Sequence, residues 1–105
     1  MGRAARYLPT RLGEKLRHIR GCLGLTQEQM LKRLELPDEI LQTSISQYER
    51  GKIEPPIFVL LKYADTANVW LEVLLRDELD LPDEIPTRVK HEGIKRRTFK
   101  RTRTS

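Results

Sequence analysis

The sequence is poor in the residues that build metal and redox chemistry. On the sequence alone, one cysteine in 105 residues, Cys22, excludes an internal disulfide and any cysteine-based zinc site. Its i+3 spacing from Ile19 reads as a small buried apolar position. The two histidines, His18 and His91, stand in different regions without a partner Cys or His spacing. No metal and no cofactor is therefore expected, and His18 reads as a surface residue. There is no glycine-rich phosphate loop and no nucleophile–base constellation, so enzyme activity has no support. No apolar run approaches the length of a membrane span, and the arginine-bearing N-terminus lacks the apolar core of a signal peptide. A cytoplasmic location follows as the expectation.

Charge, by contrast, is abundant and segregated. Residues 1–33 hold eight Lys/Arg against two acids, 34–85 hold four against twelve, and 86–105 hold eight against one. Two basic ends around an acidic middle suit a polyanionic partner that some surfaces hold and others repel. A purely solvating role fits the acidic middle better than the basic end. At 105 residues the chain has room for one domain and its tails.

The apolar spacing is helical throughout, with no strand pattern to compete. Residues 1–9 read as a basic arm carrying Arg3 and Arg6. Thr10 is placed to cap a first helix, whose Leu12, Leu16, Ile19 and Leu23 share one face and which Gly24 ends. In "LTQEQM", Thr26 and Gln29 have capping-box spacing and Leu25 and Met30 the staple positions, so a second helix runs to about Leu34. A third contains Ile45 and Tyr48 and stops at Gly51. A fourth begins after Pro55 and Pro56, with Ile57, Leu60, Leu61 and Ala64 on one side, and Asn68 breaks it. "VWLEVLL" is a short, very apolar fifth helix. The domain is thus expected over 10–76, an acidic linker over 77–87, and a disordered basic tail over 88–105. "LPDEI" occurs at 36–40 and 81–85 with unmatched flanks and reads as coincidence.

Five short helices, with the second and third as a helix-turn-helix, point to DNA. "R-x-x-x-G-L-T-Q-E" at 20–28, "I-S-x-Y-E-x-G" at 45–51 and Pro55 together resemble the lambda repressor-like (Cro/repressor, xenobiotic-response-element type) helix-turn-helix family, over roughly residues 11–75. The resemblance implies an all-α, five-helix fold and a sequence-specific double-stranded DNA-binding function, expected of a bacterial or phage transcriptional regulator associated with the nucleoid. It implies that Arg20 and Glu49 form a structural ion pair and that Gln27 meets a phosphate. It puts Gln42, Thr43, Ser44, Ser46 and Gln47 on the recognition helix as base contacts, Gln suiting adenine. Arg50 and Lys52 suit phosphates, as do Arg3, Arg6, Arg96, Arg97, Lys100 and Arg101 in the basic ends.

The chain departs from that family in one place. Ile45 follows Thr26 by nineteen positions where the family has fifteen, so the connection between the second and third helices is four residues longer. Glu35 replaces the turn glycine, and Leu31 a small residue. "PDEI" resembles a helix start, so residues 35–41 are either an extra turn or an extension of the third helix.

A homodimer on DNA is expected, since one recognition helix reads few base pairs. Trp70, Leu71 and Leu74 are its candidate interface, although Trp70 closing the core is an equal reading. The alternative function is an antitoxin or other protein-binding adaptor, with a partner held by the acidic linker or the fifth helix.

Overall fold

A computed structural model describes residues 9–85. Among them the chain is all-α, with five helices and no strand: α1 (Leu12–Leu23), α2 (Gln27–Leu34), α3 (Gln42–Glu49), α4 (Ile57–Ala67) and α5 (Leu71–Leu75). No helix among the described residues is long and apolar enough to cross a membrane.

The helix ends follow from local chemistry. Thr26 accepts the Gln29 amide at 3.1 Å and Gln29 returns the bond to the Thr26 amide at 2.9 Å, the reciprocal box that starts α2. Three helices stop alike. Behind α1, α3 and α4, the residues Gly24 (φ 68°), Gly51 (φ 72°) and Asn68 (φ 60°) turn left-handed. Each left-handed residue and the one after it fold their amides back on the last turn: Gly24 and Leu25 on Gly21 and Arg20, Gly51 and Lys52 on Tyr48 and Gln47, Asn68 and Val69 on Asp65 and Ala64. This satisfies carbonyls that a helix terminus otherwise leaves open.

α3 packs against α1 and α2, α4 against α1, α2 and α5, and α1 also against α5. Leu16, Ile19, Met30, Ile45, Val59, Tyr63, Ala64, Ala67 and Leu74 are fully buried at their junction. Each large side chain of that set contributes about 1.5–3 kcal/mol by leaving water. α1 and α3 approach so closely at Gly13 that no side chain fits between them.

Several expectations give way. α1 begins at Leu12 with Arg11 before it, and Thr10 does not cap it. The cap comes from far along the chain: the Asp77 carboxylate accepts the amides of Thr10 and Arg11, both at 3.1 Å, and the Thr10 hydroxyl at 2.8 Å. In α4 the buried stripe is Val59, Leu60, Tyr63, Ala64 and Ala67, leaving Ile57 and Leu61 62% and 46% exposed. A one-residue rotation of an almost wholly apolar helix is invisible to periodicity. Cys22 is exposed, not buried.

Residues 77–85, expected as a linker, lie along α1 as a strap. Arg11 pairs with Asp80 at 2.8 Å and gives a hydrogen bond to the Asp77 carbonyl at 2.7 Å. His18 Nε2 stands 3.1 Å from the Pro82 carbonyl, and Cys22 Sγ 3.2 Å from that of Asp83. Leu81 and Ile85 pack on the core's edge. Lys15, 2% exposed, sits beneath. Its ammonium donates to the carbonyls of Val73 at 2.7 Å and Arg76 at 2.8 Å, closing the C-terminal end of α5. Desolvation, then repulsion from Arg11, lowers its pKa.

The long connection resolves into a turn. Glu35 ends α2 in the left-handed region at φ 53°, and the Ile40 amide closes on the Pro37 carbonyl at 2.9 Å. Leu36 and Ile40 pack against the core while Pro37, Asp38 and Glu39 face solvent. The four additional residues form neither a helix nor an extension of α3.

Candidate functional site

The most organised polar feature joins α1, α2 and α3. From α1, Arg20 reaches Glu49 at the end of α3 through two hydrogen bonds, Nε to Oε2 at 2.7 Å and Nη2 to Oε1 at 3.0 Å. A third, Nη1 to the Leu25 carbonyl at 3.0 Å, ties the same guanidinium to the α1–α2 turn. The Glu49 side chain is 3% exposed and that of Arg20 20%. The hydrogen bond to Glu49, ahead of the opposing desolvation, raises the Arg20 pKa. Removing one member of so buried a pair typically costs about 3–5 kcal/mol.

The pair does not end there. Gln27, in the first turn of α2, donates its Nε2 to Glu49 Oε1 at 3.2 Å, and Gln42, the first residue of α3, donates its Nε2 to Gln27 Oε1 at 3.1 Å. The direction of each bond is dictated from the buried end. Arginine only donates and an ionised carboxylate only accepts, so Gln27 must turn its amide nitrogen to Glu49 and its oxygen outward. Gln42 then gives its nitrogen to Gln27, leaving its own carbonyl oxygen to accept from whatever lies outside. A buried charge thereby sets the orientation of an exposed amide two side chains away.

The remaining α3 candidates divide. Thr43 is exposed beside Gln42. Ser44 accepts the Leu41 amide on its hydroxyl oxygen at 3.2 Å, which helps start the helix and leaves the hydroxyl proton to donate. Ser46 and Gln47 are half-buried. Arg50 is exposed and folds its Nε back toward the Ser46 carbonyl at 3.4 Å, and Lys52 is exposed one turn further. Arg3, Arg6, Arg96, Arg97, Lys100 and Arg101 lie outside the described residues.

The candidate dimer contacts also divide. Trp70 is 47% exposed, Leu71 is half-buried, and Leu74 is fully buried, so Leu74 belongs to the core and is withdrawn from any interface. Instead Ile57, Phe58 and Leu61 of α4 expose apolar surface, for the reason given above.

Electrostatically, residues 9–85 carry ten Lys/Arg and fourteen Asp/Glu, a net −4, and five of those acids fall between 77 and 84, on the strap along α1. The Gln27–Gln42–Thr43 surface is polar and unsaturated in hydrogen bonds rather than strongly charged. The Tyr63 hydroxyl is buried and, among the described residues, finds no hydrogen-bond partner. Burial, then the Glu49 charge, pushes its pKa far above the ordinary tyrosine value.

No family model, curated protein or solved structure matches this chain.

Proposed function

We propose that the chain binds double-stranded DNA sequence-specifically, laying α3 in the major groove, and that it acts as a transcriptional regulator. The observation that carries this reading is the ordered path Arg20–Glu49–Gln27–Gln42. An exposed glutamine normally samples many rotamers and loses that freedom on binding. Here Gln42 is held at the start of an eight-residue helix with its carbonyl outward, so less ordering remains for recognition. Such an amide suits a base edge that offers an N–H, adenine N6 or cytosine N4. Thr43 supplies the adjacent contact, while the Gln27 amide backbone at the positive end of α2 and the Arg50 and Lys52 side chains suit phosphates.

The reading assigns the bulk electrostatics to the chain ends. The described part is net acidic, so affinity that is independent of sequence must come from residues 1–8 and 86–105, which carry +2 and +7. The exposed Ile57, Phe58, Leu61 and Trp70 favour a protein contact as well. On this reading it is a second copy bound to the adjacent half-site; a protein-binding adaptor is the alternative that uses the same surface.

Selection of bound duplexes from a random pool tests the proposal. A defined half-site should emerge, and Gln42→Ala should weaken the selected site by about 1–3 kcal/mol while leaving random DNA nearly unchanged. Equal losses on both, or no enriched sequence, would refute it.

A further inference from the structure

We propose that His18 and Cys22 form a binding site for a borderline-soft divalent metal ion of the zinc class, located where the strap meets α1. The two residues stand four apart on α1, hence one above the other on the same helix face. Both are exposed. Their donor atoms, His18 Nε2 and Cys22 Sγ, are 3.4 Å apart. In a tetrahedral zinc site, with Zn–S about 2.3 Å and Zn–N about 2.0–2.1 Å, neighbouring sulfur and nitrogen ligands lie about 3.5 Å from each other. The pair already has the donor separation of a chelate, and unfastening residues 82–83 would free both donor atoms.

The donor chemistry selects the ion. Thiolate with imidazole favours zinc, cobalt and cadmium over the oxygen-seeking magnesium and calcium. Among the described residues no group of three His, Cys, Asp or Glu side chains converges on an ion, so the pair supplies two ligands and water completes the shell. Binding is balanced by proton release. The Cys22 thiol loses its proton to solvent as the S–metal bond forms, and His18 binds as the neutral ring through the Nε2 lone pair, its proton residing on Nδ1.

These are also the atoms that hold the end of the strap, with Sγ donating to the Asp83 carbonyl and Nε2 facing that of Pro82. A metalated pair has no proton for either carbonyl. Uptake of the ion and fastening of residues 82–83 therefore compete, immediately before the basic segment that begins at 86. The inference does not depend on the DNA-binding reading.

The test is titration of the reduced full-length chain with cobalt(II) at neutral pH, followed by absorption. Cys22 is the one thiol of the chain, so a thiolate-to-cobalt band in the near ultraviolet reports that residue alone. We expect this band, and its displacement by zinc. His18→Ala should abolish the band at metal concentrations that saturate the unmodified chain. His18→Gln, which keeps a donor toward Pro82 but ligates poorly, should do the same with helical content intact. His91→Ala should retain it. An unmodified chain without the band, a His18 variant that keeps it, or its loss in His91→Ala would each overturn the proposal.

Discussion

Gly13 and Glu49 meet backbone to backbone: a Cβ on Gly13 would stand 2.6 Å from the Glu49 carbonyl oxygen and 3.0 Å from that of Tyr48. The obstacle is main chain on both sides, so no rotamer change relieves it. The N-terminal turn of α1 therefore rests directly on the end of α3, beside the residue that anchors Arg20 and Gln27.

Gly13→Ala and Gly21→Ala should accordingly move stability in opposite directions, though both lie in α1. At Gly21 an added Cβ meets nothing within 4 Å, so the gain in helix propensity, about 0.5–1 kcal/mol, should appear in full. At Gly13 the clash should outweigh it and leave a net loss of about 1–2 kcal/mol. Denaturant midpoints of the two variants decide the matter. Equal gains would mean that α1 and α3 are not held this close.

Tyr63→Phe removes a buried hydroxyl that has no partner among the described residues, and should raise stability by about 1 kcal/mol, since no hydrogen bond offsets the oxygen's desolvation. A loss on thermal or chemical unfolding would show that the hydroxyl is satisfied in solution.

Glu35→Gly should stabilise by about 0.5–1 kcal/mol, because glutamate at φ 53° pays a left-handed penalty that glycine does not, partly offset by glycine's freer unfolded chain. Glu35→Ala, which keeps the penalty, should leave the midpoint nearly unchanged. If both variants behave alike, side-chain charge rather than backbone conformation governs that position.

Acid should loosen the strap first. Three hydrogen bonds, first that of the Thr10 hydroxyl and then the Thr10 and Arg11 amides, hold the Asp77 carboxyl below its ordinary value of 3.8. A carboxyl whose folded pKa is depressed stabilises fully above its unfolded pKa and loses that contribution as pH falls through the folded value. Unfolding midpoints should thus decline below about pH 4, and Asp77→Ala should have a lower midpoint near neutrality and a flatter acid limb. An unchanged acid limb in Asp77→Ala would assign the decline to other carboxylates.

What could be read from the chain was whatever its near neighbours determine. Thr26 with Gln29, Gly24, Gly51 and Asn68 announce the helix ends because their partners lie within five residues. Arg20 with Glu49, implied by resemblance, pairs as expected. The helical spacing of α1 placed Leu12, Leu16 and Ile19 correctly, since polar residues flank them. In α4 the neighbours are themselves apolar, so the spacing does not distinguish the exposed Ile57 and Leu61 from the buried stripe. Asp77 as the cap of α1 and Lys15 as the closure of α5 depend on partners far along the chain, which no local rule detects. His18 and Cys22, by contrast, carry a local signal in their four-residue spacing on one helix.

The clasp between Thr10 and Asp77 also defines how little of the chain can stand by itself. Five helices end at Leu75, yet a fragment cut there would leave the opening turn of α1 with two bare amides and the Lys15 ammonium with one carbonyl in place of two. The smallest autonomous unit is therefore a closed ring of sequence, fastened where its first and last described segments cross. Forming that ring means closing a loop of more than sixty residues, an entropic step that grows only slowly with length and is recovered only once α1 and α5 are both in place. Helix formation at one end and strap docking at the other should then occur as a single transition, so that damage to either end is felt as a loss of the whole.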